Sequence, residues 1–419
     1  MIMTIIRPET EMKESGASWM GKVPCRWSIS KFKWYLRRTD PRNPGSKQVL
    51  SLYREYGVIP KDSRDDNHNA TSEDTSKYKY VRVGDFVVNK MKAWQGSVAV
   101  SEYEGIVSPA YYVYHFTDDS YHKRYFHYLL RSCYKEEFMR LSGGIRVGQW
   151  DLSSNDLDNI LVVIPKKEEQ QAIADYLDET CSKIDEIIAE AKASINEYEK
   201  LKQATIDENI FGYDSVHIKL RQLGSLKNGL NFSHSDGVAN IKFLGVGCFK
   251  DNMILSKVDD FADEHIDFEI SEEYLLSNGD IVFVRSNGSK ELVGRSIMVE
   301  NIDYPVTFSG FCIRFRNMHT ELVDNRFLLY YFRTTHFKQS LLKYSNDSTN
   351  INNLNQEMLN AIHINAPVIN EQKLLVKKLE KQVFVIDSLI TEKESLINDL
   401  EAYKKSLIYE VVTGKRRVV

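Results

Sequence analysis

The sequence predicts an α+β protein. Two globular mixed α/β domains are separated by two long antiparallel helices that form a coiled coil, with a pseudo-two-fold internal repeat. Three observations predict this. The chain repeats itself at an offset of 202 residues, and two long proline-free segments carry matched apolar seams. The remainder alternates short apolar runs with Gly, Asn and Asp turns. At 419 residues there is room for two or three domains. The period far exceeds the ~20–50 residues of a solenoid repeat, so each copy can bury its own core.

The repeat runs without a gap from Pro165–Gly212 to Pro367–Gly414. Glu169–Gln170 returns as Glu371–Gln372, and Asp185, Asn196 and Lys202 return as Asp387, Asn398 and Lys404. Upstream, Tyr128–Leu129–Leu130–Arg131–Ser132 faces Tyr330–Tyr331–Phe332–Arg333–Thr334.

The helices follow from the spacing. Leu177, Cys181, Ile184, Ile188, Ala191, Ile195 and Tyr198 alternate steps of four and three, as do Leu379, Val383, Ile386, Ile390, Lys393, Ile397 and Leu400. That is an a/d seam of about three heptads in each segment. The pairing residues are expected to be Leu177, Ile184, Ile188 and Ile195 against Leu379, Ile386, Ile390 and Ile397. Helix is expected from Glu169 for roughly 40 residues, about 60 Å. Pro165 and Pro367 precede the two starts, and Gly212 and Gly414 stand where C-terminal caps are expected. Residues 166–212 carry 6 basic against 12 acidic side chains and residues 367–419 carry 10 against 8, so the two segments differ in sign.

The mixed regions read as strands and turns. Tyr80–Val88 and Leu275–Val284 each hold a Gly-Asp turn feeding an apolar strand, at Gly84–Asp85 and Gly279–Asp280. Glycine allows positive φ there, and aspartate can bond its own backbone. Strands are expected at Ser97–Val100 and Ile106–Tyr114, matched by Ser296–Val299 and Val306–Phe315. A helix is expected at Tyr121–Leu141 and again at Asn325–Tyr344, with a long polar loop at Lys61–Lys77. The expected boundaries are an N-terminal segment at 1–26, a first globular domain at 27–164 and a central helix at 165–212. A second globular domain follows at 213–366, then the second long helix and a basic tail at 367–419.

Composition narrows the function. The net charge is −4, which does not suggest a bulk polyanion binder. Residues 26–165 nonetheless carry 21 basic against 17 acidic side chains, and residues 213–366 carry 15 against 19. No run of 18 apolar residues suggests a membrane span, and Met1–Lys22 lacks the apolar core of a leader. Five scattered cysteines without a CxxC pair suggest neither a disulfide framework nor a zinc site, and a reducing cytoplasmic setting is expected.

No catalytic or metal-binding constellation emerges. Gly143–Gly144–Ile145–Arg146–Val147–Gly148–Gln149 lacks the Lys and Ser/Thr of a phosphate loop. There is no HExxH, no GxGxxG after a strand, and no Asn-Pro-Pro-aromatic tetrapeptide. His122 and His127 sit among aromatics without metal-ligand spacing. Asp85 and Asp280 occupy one turn in two copies, so they read as turn-formers rather than as paired catalytic carboxylates.

What remains suits nucleic acid. In the first copy the candidates are Lys90, Lys92, Trp94, Gln95, Arg146 and Gln149. In the second they are Arg285, Ser286, Asn287, Lys290, Arg295, Asn346, Ser348, Asn350, Asn352 and Asn353. Arg and Lys suit guanine O6/N7, Asn and Gln suit adenine N6/N7, and all four also bond phosphates.

These residues carry a family resemblance. Trp19–Met20–Gly21–Lys22–Val23–Pro24 with Trp27, Tyr78–Val81 through Gly84–Met91, Gly105–Tyr111, and Ile164–Pro165 with Glu169–Gln170 resemble a specificity subunit of a type I restriction–modification system. Together with the duplication, the likeness covers essentially the whole chain. It implies two target-recognition domains, each reading one half of a split double-stranded DNA target. It also implies a helical pair that sets the spacer and docks two methyltransferase subunits. S-adenosylmethionine would then sit in those subunits, with ATP and Mg in the restriction/translocase subunits. This chain would bind no cofactor and catalyse nothing alone. The second copy has Ser309–Gly310–Phe311 where the first has Ser108–Pro109–Ala110. Repeated scaffold with differing loops implies an asymmetric target. The alternative is a non-catalytic adaptor whose globular domains bind polypeptides.

Overall fold

The computed structural model describes residues 4–42, 44–45, 47–54, 56–63, 74–144, 150–211, 216–231, 238, 240–249, 253–288, 292–343 and 353–418. Two compact units divide the chain: Met1–Ala191 with Ser395–Val419, and Lys192–Glu394. The two long helices are Lys167–Ile210 and Ile369–Val412, 44 residues each. Each gives residues to both units. The first starts two residues ahead of the expected Glu169. Gly212 lies outside the described residues, whereas Gly414 has φ +71°, as a left-handed cap requires.

The seam is buried where the heptads place it. Leu177, Cys181, Ile184, Ile188 and Ala191 are buried, as are Leu379, Val383, Ile386, Ile390 and Ile397, while Ile195, Tyr198, Lys393 and Leu400 are half-buried. In the second unit the helices run antiparallel. Lys202 Nζ meets Asp387 at 2.6 Å, and further along Asn209 Nδ2 donates to Gln382 Oε1 at 3.3 Å. In the first unit Lys404 Nζ meets Asp185 at 2.6 Å, the same pair with its partners exchanged under the repeat. Part-exposed ion pairs are worth at most about 1 kcal/mol each, so they set register while apolar burial holds the helices together. Leu379 and Val383 also join the core of the second unit with Phe327, Leu359 and Ile364, so that stretch of the seam is domain core as well as helix pairing.

A repeated glutamine fixes each long helix to its domain. Gln170 and Gln372 are fully buried. The Gln170 carbonyl accepts from His122 N–H at 2.7 Å, and its amide donates to the Ser120 and Pro165 carbonyls at 2.8 and 2.9 Å. Gln372 accepts from Asp324 N–H at 2.8 Å and donates to Leu322 and Pro367 at 3.0 and 2.7 Å. A second repeated tie is ionic: Arg124 to Asp178 in the first unit, Arg326 to Glu380 at 2.6 Å in the second.

The first unit centres on an antiparallel sheet ordered Val98–Val100, Phe86–Asn89, Tyr111–Phe116, Leu36–Arg38. The second repeats that order as Ser296–Val299, Ile281–Val284, Cys312–Asn317, Gly224–Asn228, and adds Ile254–Leu255 in parallel at one edge. Phe32, Phe86, Tyr114 and Phe126 pack together behind the first sheet, as Phe283, Phe315, Phe332 and Phe337 do behind the second. In the first unit the chain ends pair, Thr4–Ile6 antiparallel to Arg416–Val418, so the expected basic tail is a strand. A Cβ on Gly414 would lie 2.5 Å from Pro24 Cγ, so this cap also lets the chain pass Pro24 and Trp27.

Several expected elements are divided. The strand expected at Ile106–Tyr114 is two, Gly105–Val107 and Tyr111–Phe116, and that at Val306–Phe315 is Val306–Phe308 and Cys312–Asn317. Ser108 and Ser309 cause the breaks, because each side chain accepts from an N–H two residues on and closes a turn. The helix expected at Tyr121–Leu141 is Lys123–Cys133 and Lys135–Leu141, and its counterpart is Asn325–Tyr331 and Thr335–Leu342. Tyr134 interrupts the first to bury its ring and donate to the Leu161 carbonyl at 2.9 Å. Thr334 interrupts the second by capping a new helix through Phe337 N–H.

One repeated helix position differs in acid. His127 stands where the second unit has Leu329. Its Nδ1 accepts from Val100 N–H at 3.3 Å. Burial pushes the imidazole down to about 4. The folded state therefore holds it neutral, while the unfolded chain takes up its proton near pH 6.5. The stability from the neutral form is present above pH 6.5 and lost as pH falls toward 4. Lowering the pH from 7.5 to 5 is expected to destabilise the first unit by up to about 2 kcal/mol. Chemical denaturation of wild type and His127→Leu at both pH values checks this, since the variant should lose that difference.

Candidate nucleic-acid interface

Both Gly-Asp turns are built the same way. Gly84 and Gly279 each have φ +89°. Asp85 Oδ2 accepts from Arg82 N–H at 2.8 Å, and Asp280 Oδ2 accepts from Ser277 N–H at 2.7 Å. Both carboxylates are buried and each meets a side chain from the neighbouring strand. His115 Nδ1 lies 2.8 Å from Asp85 Oδ1, while Arg316 grips Asp280 through two bonds of 2.7 Å. These are the turn-formers read from sequence. The buried strand after each turn then delivers the first candidate residue, Lys90 or Arg285, to the end of its sheet.

In the first unit Lys92 is exposed and begins the short 3-10 turn Ala93–Gln95, with Gly96 closing it at φ +89°. Trp94 and Gln95 are half-buried on that turn. Lys90 Nζ lies 2.9 Å from Asp151, which raises the lysine above its usual range by hydrogen bonding. Arg146 and Gln149 lie outside the described residues.

In the second unit Arg285, Ser286 and Asn287 are half-buried just after the strand Ile281–Val284. Arg285 N–H donates to the carbonyl of Phe311, an exposed residue, at 2.8 Å, which ties this segment to the main chain there. Arg295 goes elsewhere: it lines a groove with Lys202, Arg333, Glu380 and Asp387 beside the long helices. Asn353 is exposed. Lys290, Asn346, Ser348, Asn350 and Asn352 lie outside the described residues.

The fold also assembles a cluster that spacing does not reveal. Arg38 Cζ sits 4.4 Å and Lys79 Nζ 5.6 Å from the centre of the Tyr112 ring. Asp40 bridges them, accepting from Arg38 Nε at 2.6 Å and lying 3.1 Å from Lys79 Nζ. Burial lowers the Lys79 ammonium despite that carboxylate. The cluster adjoins Lys90, whose charge disfavours that of Lys79. Cations stacked on an aromatic face at a sheet end suit a phosphate backbone. Residues 38, 79, 90 and 112 are too far apart in sequence to form a motif, although two adjacent arginines, Arg37–Arg38, were a signal. Among the described residues no group of three or more His, Cys, Asp or Glu is arranged to hold a metal, and no helix is long and apolar enough to cross a membrane.

The chain is similar to known proteins in sequence and in fold. A family model described as the type I restriction modification DNA specificity domain matches residues 43–197 and 214–401. The MjaVIII specificity subunit of Methanocaldococcus jannaschii is 27% identical over 95% of this chain and 94% of its own length. The StySPI specificity subunit of Salmonella potsdam is 23% identical over 74% of this chain and 66% of its own. Among solved structures, a chain from work on assembly and conformational transition of the type I R-M system superposes at TM-score 0.69 with 14% identity, covering 93% of this chain and 98% of that one. The HsdS subunit of Thermoanaerobacter tengcongensis superposes at 0.52 with 15% identity, covering 94% and 98%. The two matched domain copies and the paired long helices therefore belong together: the chain is a member of the type I restriction–modification DNA specificity family, whose role is recognition of a DNA target.

Proposed function

We propose that each globular domain of this chain reads one half of a split, asymmetric DNA sequence, and that the two long helices set the spacer between the halves. The observation that carries this reading is a scaffold repeated in detail that bears different residues at matched places. Lys90 faces Arg285, and Ser108–Pro109–Ala110 faces Ser309–Gly310–Phe311, on sheets of one strand order. The Arg38–Lys79–Tyr112 cluster gives the first domain a cationic edge suited to DNA.

In this reading the chain is non-catalytic and holds no cofactor. Two methyltransferase subunits dock on the helical pair and bring S-adenosylmethionine, while restriction/translocase subunits bring ATP and Mg, all in the cytoplasm. Polypeptide binding by the globular domains, as in an adaptor, is not favoured, because the family is one of DNA specificity.

Methylome sequencing of a host with and without this chain tests the proposal. The expected result is a single bipartite motif, with two dissimilar halves and a fixed spacer, whose methylation depends on the chain. An undivided motif, or methylation indifferent to the chain, would overturn it.

A further inference from the structure

In both units the residue that follows the apolar strand is tied to a segment far away in sequence. Leu152 N–H donates to the Lys90 carbonyl at 3.0 Å, and Leu354 N–H donates to the Arg285 carbonyl at 2.8 Å. Both leucines are fully buried. Each is followed by a helix N-cap, Ser153 or Asn355, whose side chain accepts from an N–H three residues on. The tie therefore repeats although the residues around it do not.

In the first unit it is reinforced. Lys90 Nζ meets Asp151 at 2.9 Å. Gly143 and Asp151 exchange two main-chain hydrogen bonds of 3.2 and 3.1 Å. The Trp94 ring stands edge-on to Trp150 with centres 5.6 Å apart, and Trp94 Nε1–H donates to the Met91 carbonyl at 3.1 Å. Among the described residues of the second unit no ion pair takes the place of Lys90–Asp151: Asn353 stands where Asp151 does, and Arg285 forms none.

We propose that residues 89–96 and 150–153 form one composite specificity element for the first half-site, in which Lys90 and Trp94 are positioning residues. This rests on the DNA-reading function proposed above. The Lys90 charge is committed to Asp151, so meeting a phosphate would mean giving up a short charge-assisted bond. The tryptophan pair fixes two large rings with few rotatable bonds. The lock is half-exposed and adds little to global stability. Its effect is on where the 150–153 segment stands against DNA.

The test uses the full chain assembled with its methyltransferase. The probes are the duplex returned by methylome sequencing and duplexes altered in one half-site. Lys90→Asp and Asp151→Lys are each expected to cut discrimination at the first half-site on the order of ten-fold, and the double exchange to restore most of it. Discrimination at the second half-site stays unchanged, which shows that the variants remain folded. Lys90→Met should leave the slope of log affinity against log salt unchanged, whereas Arg285→Met lowers it by about one. A slope reduced by about one in Lys90→Met, with Asp151→Asn silent, makes Lys90 a phosphate contact and overturns the inference. So does an exchange that restores nothing while the second half-site is still read. If the unsubstituted complex discriminates neither half-site, the DNA-reading proposal itself fails, which is a separate outcome.

Discussion

Replacing Gln170 with leucine is expected to destabilise the first unit by about 3 kcal/mol or more, and Gln372→Leu to do the same to the second. Each glutamine is fully buried and makes three hydrogen bonds to main-chain groups that have turned away from water. Leucine is similar in size and leaves one N–H and two carbonyls without that partner. Each such orphan costs about 1–3 kcal/mol, against a whole-domain stability of about 5–15 kcal/mol. Glutamate is not a rescue, since it can accept from the N–H but cannot donate to the carbonyls, and it buries a charge. Urea denaturation of the single variants checks this. Gln170→Leu should expose amides of the first unit to hydrogen exchange at lower denaturant while sparing the second, and Gln372→Leu should do the reverse. A loss below 1 kcal/mol in either would contradict the anchoring role.

The second large effect concerns target geometry. Inserting four residues into each long helix, after Ala191 and after Glu394, adds about 6 Å to each at 1.5 Å per residue. Four residues make slightly more than one turn, so each seam keeps nearly its original face. Because base pairs stack about 3.4 Å apart, the preferred spacer is expected to grow by about two base pairs while both half-sites stay the same. Methylation of the original motif should fall to background and appear at the longer one. An unchanged spacer would sink the proposal that the helices set it. Insertion in only one helix breaks the matched register of the Lys202–Asp387 and Asp185–Lys404 pairs, and should abolish methylation at both spacings.

The long helices were legible because their determinants are local and periodic. A 3–4 spacing of apolar residues over many turns has few other solutions, and the two copies confirm each other. The Gly-Asp turns were legible for a similar reason: one residue permits positive φ and the next bonds its own backbone. The division of Ile106–Tyr114 and of Tyr121–Leu141 was harder to read. Those breaks depend on Ser108 turning back on its own chain and on Tyr134 finding the Leu161 carbonyl, a partner well downstream in sequence.

The candidate site divides along the same line. Residue type and loop position made Lys90, Trp94 and Arg285 candidates, but did not show what they face. Arg295 was grouped with Arg285, yet their side chains lie in different surroundings, because Arg295 lines the groove beside the long helices. The Arg38–Asp40–Lys79–Tyr112 cluster and the Leu152–Lys90 tie join residues from separate strands, which no spacing rule connects.

The sequence by itself determined the duplication, the two long apolar seams, the repeated turns and the membership of a DNA-specificity family. All of these rest on residue identity and short-range periodicity. Only the tertiary structure decided that the buried glutamines anchor the helices, that the chain ends pair as strands, and that Lys90 answers Asp151. The physical reason is that a buried polar group takes whichever partner the fold brings within about 3 Å, and sequence separation does not limit which partner that is.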